Sequence, residues 1–185
     1  RLLLTSIPKN STIYRGRPND DVIDSFTQFS DLTSPPSQYA KSNRMSAEGV
    51  SMFYGAFDCA TVRQEICSYC SPPSIDIGEF RVKKELHVVD LFKIPKTLSF
   101  WMPEGYEEYK FLCRFHEEIT QPLAKGNTSD YLPTQAFTEY LRFMTDKKID
   151  GLIYRSAQSG EKNIVLFYDA QNSSEVLNLV SVNKV

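Results

Sequence analysis

Residues Asn43–Ile66 read NRMSAEGVSMFYGAFDCATVRQEI. The opening is polar and carries Arg44. Val50–Phe57 follows as a strand with Tyr54 inside it, and Asp58 then stands where a helix N-cap belongs. From that cap, Val62, Ile66 and Tyr69 fall at i, i+4 and i+7 and predict the buried stripe of a helix reaching Cys70. Glu65 lies on the flank of this stripe, while Arg63, Gln64 and Ser68 point away. A carboxylate turned toward a core has to be paired, protonated or lining a cleft, because burying it alone is very costly. A structural ion pair and a ligand-facing acid both meet that condition. Loop, strand and helix thus deliver an arginine, a tyrosine and a glutamate from adjacent elements. That set suits a phosphorylated, cationic, ring-bearing ligand such as a dinucleotide.

Outward from this unit, Ser11–Arg17 reads as a strand closed by Pro18, and Asp31–Asn43, with Pro35-Pro36, as a loop leading to Arg44. Ser71–Ser74 (SPPS) stops the Glu65 helix. Gly78–Val82 and Leu86–Leu91 are expected strands, and Pro95–Pro103 is irregular. Glu104–Ile119 has Tyr106, Tyr109, Leu112, Cys113 and His116 at helical spacing, which makes His116 a core histidine by default. Ala124–Tyr131 is a loop. Thr134–Met144 is a helix with Ala136, Phe137, Tyr140, Leu141 and Met144 inward. Ile149–Ser156, a central Asn163–Tyr168 and Val176–Val182 complete the strands. Without regular strand–helix alternation, this order favours an α+β fold with a mostly antiparallel sheet. No GxGxxG, P-loop or GxSxG is present.

The 185 residues, 41% hydrophobic and 24% charged, suit a single domain spanning Arg1–Val185. The chain opens on Arg1, which suggests either a processed chain or an excised one, with an upstream domain expected only in the excised case. Net charge is −2 and the basic residues are scattered, which argues against nucleic acid as a partner. No apolar run approaches the ~20 residues needed to cross a bilayer, so no membrane partner is expected. Cys67 and Cys70 form a CxxC and Cys113 and His116 a CxxH, formally a Cys3His zinc set. Both pairs fall within helices, however, and no metal is expected. Free cysteines and a reducing, cytoplasmic location fit together.

Four segments together resemble the RES domain, the toxin half of many bacterial toxin–antitoxin pairs. They are Ile13–Pro18 (IYRGRP), Asn43–Ile66, Tyr131–Gln135 (YLPTQ), and Asp150–Ser156 (DGLIYRS) with Asn163–Phe167. The ordered spacing of Arg44, Tyr54 and Glu65 carries most of the likeness. The resemblance implies an ADP-ribosyltransferase-like fold acting on NAD as substrate. It implies that Arg44 holds the pyrophosphate and Tyr54 stacks on the nicotinamide or its ribose. It further implies that Glu65 stabilises positive charge at that ribose, that Ser156 hydrogen-bonds in the same cleft, and that Tyr14 and Arg15 support the pocket. Two departures, Lys41–Ser46 before and around Arg44 and a single serine in Tyr154–Ala157, resemble the longer RES variety, sometimes fused behind a helical domain. Arg155 reads as a solvated strand arginine. The implied activity is cleavage of the nicotinamide glycosidic bond by water or phosphate. A protein ADP-ribosyltransferase and a silent nucleotide- or partner-binding module are the alternatives. An antitoxin or inhibitory domain covering the cleft is the implied partner.

Overall fold

The computed structural model describes residues 3–21, 25–95, 105–120 and 131–185. Among these, eight strands are present: β1 Leu4–Ile7, β2 Thr12–Asn19, β3 Phe53–Ala56, β4 Ser74–Val82, β5 Leu86–Asp90, β6 Gly151–Arg155, β7 Lys162–Leu166 and β8 Leu177–Lys184. They form one sheet in the order β1-β5-β6-β7-β3-β2-β4-β8. Four helices accompany it: α1 Phe29–Leu32, α2 Cys59–Cys67, α3 Tyr106–Thr120 and α4 Leu132–Phe143. The fold is α+β with a mostly antiparallel sheet, as the element order predicts. The parallel pair is β5 with β6, and it needs a long crossover; that crossover carries α3 and α4.

The alternation of β3, β6 and β7 divides the core between two faces. Phe53, Ile153, Ile164 and Leu166 pack on one face with Ile13, Phe80 and Val88. Leu152, Val165, Tyr54 and Tyr154 turn to the other, where Phe115 and Ile119 of α3 and Leu141 of α4 cover them. A smaller cluster joins Val62 and Ile66 of α2 to Ala56, Ile75 and Ile77.

One irregularity positions everything that follows. β2 and β3 share a single pair, Tyr14 opposite Ala56, so the strands part beyond it. Arg15 Nη1 reaches across the gap to the Tyr54 carbonyl, 3.0 Å away, in place of a ladder bond. The sheet opens there into a cleft.

Several expectations need correcting. Leu4–Ile7 forms β1 on the edge, a strand the sequence analysis does not anticipate. The Val50–Phe57 strand is shorter, Phe53–Ala56, and α2 stops at Cys67, which leaves Tyr69 beyond the helix and 64% exposed instead of buried. The inward residues of α3 are Phe115 and Ile119, with Tyr106 exposed. On α4, Thr134, Gln135, Thr138 and Leu141 are buried, while Ala136, Tyr140 and Met144 face out. From residue 96 the expected irregular stretch lies outside the described residues, and so does the Ala124–Tyr131 loop as far as residue 130. No helix among the described residues is long and apolar enough to cross a membrane.

Candidate active site

The local folding of α2 delivers Glu65. Asp58 caps the helix, its Oδ1 accepting from the Thr61 amide at 2.7 Å and its Oδ2 from the Thr61 hydroxyl at 2.8 Å. Val62 and Ile66 then pack onto β2 where Gly16 has no side chain. A Cβ at Gly16 would stand 2.7 Å from both Val62 Cγ1 and Ile66 Cδ1. This close approach sets Glu65, half-buried, against the opening between β2 and β3.

Two side chains from the far side of the opening fix that carboxylate. Ser156 Oγ donates to Glu65 Oε1 at 2.6 Å and Asn163 Nδ2 donates to the same oxygen at 2.7 Å. Ser156 is itself held, accepting from the backbone amides of Gln158 at 3.1 Å and Ser159 at 3.0 Å. Both donors use Oε1, and among the described residues no hydrogen bond falls on Oε2. One carboxylate oxygen is therefore anchored and the other is not.

Arg44 stands at the tip of a tight turn in which Asn43 and Ser46 exchange backbone hydrogen bonds of 2.8 and 3.3 Å. Its Nη1 donates to the carbonyls of Ile119 (2.8 Å) and Glu118 (3.2 Å), the C-terminal end of α3, where a cation is favoured. The Tyr54 hydroxyl lies 2.8 Å from Ser46 Oγ, and burial above all pushes its phenol up to about 12, so it is protonated at neutral pH. Burial likewise raises Tyr154 far above the ordinary tyrosine value. Arg15 is half-buried, with its guanidinium 5.4 Å from the Phe53 ring centre. Burial, then the neighbouring Arg17, brings it down to about 10, still charged at neutral pH. Among the described residues its Nε has no hydrogen-bond partner and its guanidinium no ion-pair partner. Arg15 is thus a cation on the cleft wall with no counter-charge among the described residues.

Arg15, Arg44, Tyr54 and Glu65 come together on one cleft of about 440 Å³. Two other expected residues do not join them. Tyr14 alternates away and packs against the α2 cluster, because the Tyr-Arg pair on a strand must point to opposite faces. Ser156 is 2% exposed and sits behind Glu65, acting on it without lining the cleft. Sequence reasoning missed Asn163, Tyr154, Tyr131 and Tyr69 as wall residues. The signal for Asn163 was present, since it is the one side-chain amide in the expected Asn163–Tyr168 strand, ahead of the apolar run Ile164–Phe167. Arg155 is exposed and lies over the Phe92 ring, 5.1 Å from its centre. His116 is half-buried on α3, and its buried Nε2 has no hydrogen-bond partner among the described residues. Among the described residues no three or more His, Cys, Asp or Glu side chains cluster to hold a metal ion, and the formal Cys3His set is not assembled.

The cleft therefore has two cations, a fixed carboxylate and several tyrosine rings along its wall. A family model for the RES domain matches residues 13–181. No curated protein matches the chain. The chain belongs to the RES domain family.

Proposed function

We propose, from membership of this family and from the layout of the cleft, that the protein cleaves the nicotinamide glycosidic bond of NAD. The observation that carries the reading is the coexistence in one cleft of Glu65, anchored through Oε1 alone, with the cations Arg15 and Arg44. A dinucleotide needs both: cations for its pyrophosphate and a carboxylate for the ribose that becomes positive as nicotinamide departs. A guanidinium matches phosphate oxygens with two donors at once.

The chemistry asks for little else. The bond between nicotinamide nitrogen and ribose breaks, and its electron pair returns to the pyridinium ring, so nicotinamide leaves neutral without an added proton. The ribose acquires oxocarbenium character, which the Glu65 carboxylate stabilises electrostatically. With water as acceptor, the oxygen bonds to the ribose carbon and one proton is released, giving ADP-ribose. With phosphate the product is ADP-ribose carrying a new phosphate ester on that carbon. Tyr54 and Tyr154, protonated at neutral pH, offer rings and hydroxyl donors along the wall.

Draining NAD is toxic, so this reading includes a restraint: a partner chain or adjoining domain that covers the cleft. The test uses NAD labelled in its adenosine half. Free labelled ADP-ribose, or its phosphate ester when phosphate is supplied, supports the proposal. Label retained on protein would replace it with ADP-ribosyl transfer, and unchanged NAD would remove the enzymatic reading.

A further inference from the structure

Tyr131–Gln135 belongs to the segments that mark the family likeness, yet apart from Tyr131 it lines no part of the cleft. Its structural setting is unusual. The face of α4 turned inward carries Thr134, Gln135 and Thr138, at 3, 8 and 0% exposure, where an amphipathic helix would place apolar side chains. Buried polar groups need partners: Thr138 Oγ1 donates to the Thr134 carbonyl of its own helix at 2.8 Å, whereas Thr134 and Gln135 reach the turn that bears Arg44.

Gln135 Nε2 lies 2.8 Å from the Asn43 carbonyl, 3.1 Å from the Ser46 carbonyl and 3.1 Å from Ser42 Oγ. The Thr134 hydroxyl donates to the carbonyl of Arg44 itself and lies 2.9 Å from the Tyr131 carbonyl. Thr138 Oγ1 is 3.6 Å from Met45 Sδ, and Met45 is fully buried. From the other side Ser46 meets the Tyr54 hydroxyl. A four-residue turn with only two backbone bonds of its own is thus gripped along its whole length, with Arg44 at the tip.

We propose that Thr134 and Gln135 are positioning residues for Arg44. They fix the backbone of its turn so that the guanidinium meets the anionic part of the ligand without first paying to order a loop. The inference rests on the reading above, in which Arg44 holds the pyrophosphate.

ADP-ribose, which keeps the pyrophosphate and lacks nicotinamide, is the probe, and calorimetry gives its Kd whether or not the protein turns over. Gln135→Met and Arg44→Ala should each weaken binding roughly tenfold, the order of one good hydrogen bond. The double variant should bind no more weakly than Arg44→Ala alone, because Gln135 acts through Arg44. Thr134→Val should lose affinity and Thr134→Ser, which keeps the hydroxyl, should retain it. That pair carries the test if Gln135→Met does not fold. Additive losses would overturn the proposal, and so would unchanged affinity in Gln135→Met and Thr134→Val beside a weakened Arg44→Ala. That last result leaves Arg44 its role. An Arg44→Ala protein that binds ADP-ribose as well as the parent would instead sink the pyrophosphate assignment and this inference together.

Discussion

Glu65 carries the account at the scale of single residues, and its meaning comes from what holds it. Ser156 and Asn163 both donate to Oε1, so the carboxylate has one orientation and an oxygen to spare. If that orientation serves catalysis, Asn163→Leu should lower kcat by about tenfold or more, since small misplacements of a charge-stabilising group are expensive. ADP-ribose affinity should stay near the parent value, because the cations that grip it are untouched. An equal loss of both would make Asn163 part of the binding surface. Glu65 was legible in the sequence because a carboxylate on the flank of an apolar stripe calls for a reason. Its two anchors were not, since Ser156 just after β6 and Asn163 on β7 lie 91 and 98 residues further along the chain.

At the scale of elements, local chemistry was readable and faces were not. The Asp58 cap follows from its place before an apolar-periodic run, and Asp58→Ala should cost about 1 kcal/mol, measured by denaturant unfolding. A loss within error would mean the cap is redundant. The face of α4 was misread because periodicity counts only apolar residues, and three of its four buried residues are polar. α4 turns Thr134 and Gln135 inward to hold the Arg44 turn, a demand invisible from the helix alone. α3 holds a further consequence. Burial, and then Arg155, sets His116 below the ordinary histidine value. As pH falls from about 6.5, the unfolded chain takes up this proton before the folded one, so stability present above that pH is lost toward the folded value. Thermal midpoints at pH 7.5 and 5 should differ more for the parent than for His116→Gln; equal differences would show that His116 is not linked to folding.

For the whole molecule, the α+β class and the run of antiparallel strands followed from element order, whereas the parting of β2 and β3 did not. Strand register is a tertiary property: nothing in Ile13–Arg17 or Phe53–Ala56 states that they pair once and separate. Yet that separation makes the cleft, letting α2 bring Glu65 to the same opening as Arg15, Tyr54 and Arg44. The edge strand β1 escaped notice for a similar reason, since its partner β5 lies some eighty residues away. The most direct test of the central claim is nicotinamide release from NAD by the parent protein beside Glu65→Gln, with folding and ADP-ribose binding checked in both. Release that falls by about a hundredfold or more in the folded, ligand-binding variant is the predicted result, as expected for loss of transition-state charge stabilisation. Undiminished release from Glu65→Gln, or none from the parent while ADP-ribose still binds, would contradict it.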